Sequence, residues 1–145
     1  MATIVKADSN EKSRKRLEEL CAKLTDEQLA RMTPDGWTVS ATLAHLAFWE
    51  RFTVERWKLF AREPVAIAVN ADLINASEMP AWHAIGGRDA IKLALEAAKA
   101  ADLHIAQLAE EVASAARPVV NPRMFERFHH RNEHTAAIAA VVEAC

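Results

Sequence analysis

The sequence predicts an all-α protein, and three observations lead to that prediction. Glycine occurs only 3 times in 145 residues, whereas alanine, the strongest helix former, makes up about a fifth of the chain. No segment shows the sustained alternation of β-branched and polar residues that is typical of a half-buried strand. Capping residues, prolines and a glycine pair divide the chain into helical segments. We expect a single domain over residues 1–145, since chains of this length usually form one.

Three helices are predicted in the N-terminal half. Each follows a capping residue, which is Ser9 or Asn10 for the first helix, Thr25 in a capping box for the second, and Thr38 for the third. A turn at residues 34–36 precedes the third and longest of them. These helices are expected to end near Leu24, Met32 and Glu63.

Two long helices are predicted in the C-terminal half, after a longer connection. Residues 65–85 contain a proline and are expected to form a loop with one short helix around residues 70–76. The Gly86-Gly87 pair precedes a helix over about residues 88–115, and a last helix starts near Pro122 and runs to the C-terminus. Four substantial helices with a longer connection between the second and the third indicate a four-helix bundle.

Composition and charge exclude several classes of protein. The net charge is −2 and the pI about 6.3, so we expect no nucleic-acid partner, because such proteins carry a strongly basic surface. No run of about 18 apolar residues occurs and residues 1–6 lack an apolar signal core, so we expect neither a membrane span nor secretion. Cys21 and Cys145 are too few for a disulfide scaffold and indicate a reducing compartment, here the cytoplasm.

His45 lies at the centre of the apolar face of the long second helix. On a helical wheel Phe48, Trp49 and Phe52 fall on the same face as His45, whereas Glu50 falls on the far side. A histidine on such a face is either a core residue with one satisfied hydrogen bond or a ligand. His45 by itself leaves both interpretations open.

His130 and His134 form a pair in the last helix. Their i, i+4 spacing projects both side chains from one face, and Ile138 continues that face one turn further on. Neutral imidazole is the commonest metal ligand in proteins, and three histidines with open positions are typical of a catalytic metal site. The pair alone could equally be a surface pair, but together with His45 it predicts a metal site.

Two neighbouring residues limit this interpretation. Arg131 follows His130 at the position where a zinc-protease motif has a glutamate as general base, so that class of enzyme is excluded. His129 lies about 100° from His130 around the helix, and we expect it to be solvated. We therefore identify no catalytic acid or base.

Two motifs resemble those of the DinB-like superfamily, which includes the YfiT-like proteins and the N-terminal domain of mycothiol-dependent maleylpyruvate isomerase. The first comprises GWTV at residues 36–39 and LAHLAFWE at residues 43–50. The second is HRNEHTAAI at residues 130–138, similar to the family's His-x-x-x-His segment. The helix order and the long middle connection agree with the family as well. One departure is Ala137, which stands where many members have glutamine.

The resemblance implies a four-helix bundle with a divalent metal held by His45, His130 and His134. Zinc and nickel are frequent in relatives, imidazole ligands favour both over magnesium, and iron is a further possibility. Characterised relatives include thiol-dependent transferases and isomerases and some hydrolases, so a low-molecular-weight thiol is a possible cofactor. A homodimer is also expected by resemblance.

Three further charged residues have two interpretations each. Asp102 falls within the apolar stripe of the predicted helix 88–115, where a carboxylate needs a partner. It could orient a ligand histidine, pair with Arg127 or Arg56, or form a structural salt bridge. Arg127 and Arg56 share the faces of His134 and His45, and each could hold a substrate carboxylate or phosphate or extend into solvent.

The sequence predicts a cytoplasmic metal-dependent enzyme that acts on a small molecule by thiol-dependent transfer, isomerisation or hydrolysis. The alternative is a non-catalytic, metal-stabilised or metal-sensing bundle. That alternative predicts a fourth protein ligand, such as Asp102, that completes the coordination of the metal. A third hypothesis is a structural bundle without metal, in which the histidines are only core residues.

Overall fold

Helices are the main regular elements in the part of the chain that the structure describes, and that part contains no β-strand. The computed structural model describes residues 2–144, and the side chains of residues 7–144; Cys145 lies outside the described residues. The helices are α1 (Ala2–Lys23), α2 (Asp26–Leu29), α3 (Val39–Arg62), α4 (Ala71–His83), α5 (Gly87–Ala106), α6 (Glu110–Ala116) and α7 (Phe128–Glu143), with a 3₁₀ turn at Pro122–Met124. The prediction of an all-α protein is confirmed.

The long helices pack against one another around two apolar clusters. Helix α3 lies along α5, while α1 contacts both α5 and α7, and α4 covers part of α3. The larger cluster includes Leu17, Leu43 and Ile138 from α1, α3 and α7. The smaller cluster surrounds Trp57, whose indole Nε1 donates to the carbonyl oxygen of Met124 at 2.9 Å. Both clusters therefore join segments that are distant in sequence.

The sequence predicted Ser9 or Asn10 as the cap of the first helix, and this is wrong, because α1 already begins at Ala2 and both residues lie inside it. Asn10 is buried, and its amide Nδ2 donates to the carbonyl oxygen of Phe125 at 2.8 Å. Its Oδ1 accepts from the backbone N–H groups of Arg127 at 2.8 Å and Phe128 at 3.1 Å. The N-cap residue of α7, Arg127, makes no side-chain capping hydrogen bond. Asn10, a residue of α1, thus accepts hydrogen bonds from backbone N–H groups at the start of α7, where a helix leaves its first N–H groups without a partner of its own.

The middle of the chain is more helical than predicted. Helix α4 is capped by Asn70, whose Oδ1 accepts from the backbone N–H of Leu73 at 3.1 Å, and it continues to His83 with Pro80 inside it. A proline within a helix removes one backbone hydrogen bond. The burial of Trp82 against the larger apolar cluster accompanies this continuation of the helix.

The predicted helix over residues 88–115 is two helices. Helix α5 ends at Ala106, and α6 begins at Glu110 after a short break. Leu108 lies in that break and packs against the smaller apolar cluster around Trp57. The last helix also begins later than predicted, since Pro122 starts the 3₁₀ turn instead of α7.

Other local predictions are confirmed. The capping box is formed reciprocally by Thr25 and Gln28. The turn after α2 contains Gly36 at a positive φ of 84°, a conformation that favours glycine. Helix α5 begins at Gly87, where an added Cβ would lie 2.9 Å from a methyl carbon of Leu29.

Cys21 is buried in the larger apolar cluster. Burial, together with the charge of Glu18, raises the pKa of its thiol to about 12. The thiol is therefore protonated at neutral pH and is not available as a nucleophile or a metal ligand. Within the described residues, none of the helices has the length and apolar character needed to cross a lipid bilayer.

Candidate metal centre

Helices α3 and α7 bring His45, His130 and His134 together. One ligand nitrogen from each of the three rings lies within 4.8 Å of the others. The closest pair is Nε2 of His45 and Nε2 of His130, at 3.0 Å. The i, i+4 spacing on α7 supplies two rings one turn apart, and the approach of α3 supplies the third.

The spacing of these nitrogens fits a single metal ion. Two nitrogens bound to one tetrahedral zinc at about 2.0–2.1 Å lie about 3.3 Å apart. The 3.0 Å separation of His45 and His130 is close to that value, and the ligand nitrogens of all three rings lie within 4.8 Å of one another. The three histidines could therefore hold a metal ion together.

The histidine rings are held in the neutral form that binds metals. Burial, with the nearby His134, lowers the pKa of His45 to about 3. Burial, with the two other histidines, lowers the pKa of His130 to about 2. Burial also lowers the pKa of His134, although Glu133 and Asp35 act in the opposite direction. All three rings are thus unprotonated at neutral pH and present lone pairs without proton competition.

Three tryptophans surround His45. The ring of Trp37 lies 4.8 Å from that of His45, Trp82 lies 5.0 Å away and Trp49 lies 6.5 Å away, measured between ring centroids. Trp37 also stacks on His134 at 6.5 Å. The turn with Gly36 positions Trp37, because the backbone N–H of Thr33 donates to the Trp37 carbonyl oxygen at 2.7 Å. These indoles limit the access of water to the histidines.

Asn75 on α4 connects the covering helix to the site. Its Oδ1 accepts a hydrogen bond from Nε1 of Trp49 at 2.8 Å. Trp49 lies one turn after His45 on α3, so this bond fixes a wall of the histidine cluster to α4. The position of α4 therefore affects the shape of the space next to the histidines.

A buried ion-pair network lies beside the histidines, and one of its members, Arg131, directly follows His130 in α7. Arg131, at 0% exposure, directs its guanidinium at Glu50, at 1% exposure, with Nη2–Oε2 and Nε–Oε1 distances of 2.8 and 3.2 Å. Nη2 of Arg127 donates to Oε1 of Glu50 at 3.2 Å. Burial alone would raise the pKa of Glu50, but the two arginines lower it below its ordinary value. Glu50 is therefore an ionised carboxylate in the protein interior.

Asp102 forms a structural salt bridge, one of the alternatives considered from the sequence. Its Oδ1 lies 2.7 Å from Nη2 of Arg131, and its Oδ2 accepts from Nε of Arg14 at 3.0 Å. Among the described side chains it pairs with neither Arg127 nor Arg56, and it is not part of the histidine cluster. Asp102 therefore neither closes the metal centre nor orients a ligand histidine directly.

Sequence reasoning missed Glu50 and Arg131 as members of the interior. The wheel correctly puts Glu50 on the side of α3 away from His45, but that side is buried as well. The spacing of Arg127 and Arg131 by four residues was the available signal, because it indicates two cations on one face of α7 that need an acid.

His129 and His104 do not join the cluster. His129 is half-buried, and its Nε2 lies 3.2 Å from Oε2 of Glu126. His104 lies on α5, where burial and Lys58 lower its pKa. His129 therefore provides a natural control for experiments on the cluster.

Comparison with known protein families gives a match over most of the chain. The family model described as the DinB superfamily matches residues 10–142, a range that includes all three clustered histidines. The comparisons with curated proteins and with solved structures gave no significant match. The resemblance found in the two sequence motifs is thereby confirmed.

Proposed function

The chain belongs to the DinB superfamily, and from this premise we propose that it is a divalent-metal-dependent enzyme that acts on a small molecule. The observation that carries the proposal is the convergence of His45, His130 and His134 within 4.8 Å, in a neutral and largely buried form. The reaction classes are thiol-dependent transfer or isomerisation and hydrolysis. We take zinc or nickel as the most suitable metals and iron as a third, since imidazole suits these ions.

A metal held by the three histidines would polarise a carbonyl group, or lower the pKa of a bound water or thiol toward neutrality. The protein's own residues have separate tasks. The tryptophans around His45 exclude bulk water and so strengthen electrostatic interactions within the site. The Glu50–Arg131 pair fixes the rotation of α7, which carries two of the ligands.

The alternative is a non-catalytic, metal-stabilised or metal-sensing bundle. It expects a fourth protein ligand to complete the shell, as in closed structural sites. Among the described residues, the cluster contains no Cys, Asp or Glu besides the three histidines, and Asp102 is engaged by arginines. This observation favours open positions for substrate or water and therefore the enzyme.

We further propose that the chain is one domain of the four-helix-bundle type. The core helices would be α1, α3, α5 and α7, and the longer connection would be the segment with α4. The contacts among these helices support that arrangement. A cytoplasmic location is consistent with the free, buried thiol of Cys21.

The metal content of the protein is the first test. Protein purified without a histidine tag is expected to contain about one zinc, nickel or iron per chain by elemental analysis, since three histidines form one site. Replacing His45 and His130 together by alanine should remove it. His129→Ala is the matched control, because His129 neighbours the cluster without joining it, and it should retain the metal. Absence of metal from the wild type even after reconstitution would reject the proposal.

Besides a small molecule, we expect a second copy of the chain as a partner. The six apolar residues 64–69 form an exposed connection between α3 and α4, with Val65 at 66% and Ile67 at 41% exposure. We propose that this segment lies in a homodimer interface, since contiguous exposed apolar residues mark such surfaces. Light scattering should give a dimer for the wild type and a monomer for Val65→Asp with Ile67→Asp. Val119→Asp, an exposed position elsewhere, should remain dimeric; a monomeric wild type at 100 µM contradicts the proposal.

A further inference from the structure

Arg56 is a cation without a counter-ion among the described side chains. It is half-buried on α3, and its Nε atom is buried with no hydrogen-bond partner there. No carboxylate that the structure describes forms an ion pair with it. Burial, together with the charge of Arg127, lowers the pKa of its guanidinium. A partly desolvated guanidinium without an acid is unfavourable unless a ligand supplies the negative charge.

Arg127 also has a donor without a partner among the described residues. Its Nη1 donates to the carbonyl oxygen of Arg123 at 3.1 Å and its Nη2 to Glu50 at 3.2 Å, but its Nε is buried without a partner among the described residues. Arg127 acts electrostatically on both Arg56 and His130. Arg127 is therefore near enough to both Arg56 and His130 for its charge to act on each of them.

The carboxylates next to these arginines are already neutralised. Glu50 is engaged by Arg127 and Arg131, and Asp102 by Arg131 and Arg14. These two carboxylates thus already pair with three arginines, and Arg56 would be a fourth. Neither acid is therefore free to pair with Arg56, and an oxyanion from outside the described network could do so.

Arg56 also shares one face of α3 with the site. His45, Trp49, Phe52 and Arg56 follow the i, i+4, i+7, i+11 spacing of a single helical stripe. The rings of Trp49 and Phe52 lie 5.3 Å apart and provide an apolar surface between His45 and Arg56. Arg56 is about 16 Å from His45 along the helix axis.

We propose that Arg56 and the Nε of Arg127 bind an oxyanion group, a carboxylate or a phosphate, of the small molecule whose reacting end lies at the histidine cluster. Arginine presents a planar fork of donors that matches both groups. The molecule would have an apolar middle resting on Trp49 and Phe52. The inference about its reacting end rests on the proposed metal-dependent function, whereas the anion site can be tested by itself.

The test follows the arginine Nε–H signals of the full chain by NMR while sodium acetate or inorganic phosphate is added, with sodium chloride at equal ionic strength as reference. We expect the Arg56 and Arg127 signals to shift saturably with at least one oxyanion and not with chloride. In Arg56→Gln the Arg127 response should require at least tenfold more anion. Arg51→Gln, which removes an exposed arginine of the same helix, should behave as wild type.

The outcomes separate this inference from the proposed function. A response to acetate alone assigns a carboxylate, and a response to phosphate alone assigns a phosphate. No saturable shift of Arg56, or a shift equal to that of the exposed Arg51, overturns the inference. Metal content is measured on the same samples, and the titration is repeated with the His45→Ala, His130→Ala variant. Anion binding that persists there in the absence of metal supports the site even if the metal-dependent function is rejected.

Discussion

Replacing Glu50 by glutamine is expected to destabilise the protein by about 3–5 kcal/mol. Glu50 is the buried carboxylate that neutralises Arg127 and Arg131, with Nη2–oxygen distances of 3.2 and 2.8 Å. Removing one member of such a group leaves buried cations without a partner, which costs more than the pair contributes. The measurement is the free energy of unfolding from urea titrations at pH 7.

The matched control for this prediction is Glu55→Gln. Glu55 lies on the same helix, its side chain is 69% exposed, and it pairs with Lys58 at the surface. Its loss should change stability by less than about 0.5 kcal/mol, as exposed ion pairs contribute little. Combining Glu50→Gln with Arg127→Gln should recover part of the loss, because one unpaired cation is removed. A loss below about 1 kcal/mol for Glu50→Gln would show that the network is not a stabilising element.

The metal-free protein is expected to lose stability steeply as the pH falls from about 6.5 to 4.5. In the folded state the pKa of His45 is about 3 and that of His130 about 2, against an ordinary value of 6.5. The unfolded chain therefore binds more protons than the folded one in this window, so acid favours unfolding. Each such histidine contributes a slope of about 1.4 kcal/mol per pH unit.

The measurement is urea unfolding in the presence of a chelator at several pH values. Replacing His45 and His130 by glutamine should remove the part of the slope that these two histidines contribute and leave the smaller part that comes from His134 and His104. His129→Gln should retain it, since His129 lies outside the cluster. Glu50 titrates below its ordinary value of 4.5 and so acts only at lower pH. A stability that is constant between pH 6.5 and 4.5 would refute the neutral, buried state of the cluster.

Helical periodicity explains why the histidines could be identified from the sequence. His130 and His134 are neighbours because of a local spacing, and His45 lies on an apolar stripe that is visible within two turns of its own helix. Such patterns depend on residues a few positions apart. The same is true of the Thr25 capping box and the turn at Gly36, which were also predicted correctly.

The ion-pair network could not be derived in this way, because its members come from separate helices. Glu50 and Arg131 are 81 residues apart, and each looks like a surface residue within its own segment. Their burial depends on how α3, α5 and α7 enclose the space between them. For the same reason the pairing of Asp102 with Arg131 and Arg14 remained one of several alternatives.

Tertiary packing also overrode local signals in the middle of the chain. Pro80 lowers the helix propensity of its segment, yet α4 continues past it to His83. The buried Trp82 and the Asn75–Trp49 hydrogen bond attach that helix to α3. These contacts involve α3 residues far away in the sequence, so a window around Pro80 could not show them.

The bonds from Asn10 to the start of α7 have a consequence for synthesis on the ribosome. The 117 residues that separate Asn10 from Arg127 take about 6–24 s to translate at about 5–20 residues per second. During that interval the apolar face of α1 has been synthesised, but α7, which later packs against α1, has not. The uncovered face of α1 is then open to chaperones. Of the three clustered histidines only His45 has then emerged, so the complete cluster forms only after α7 has left the exit tunnel.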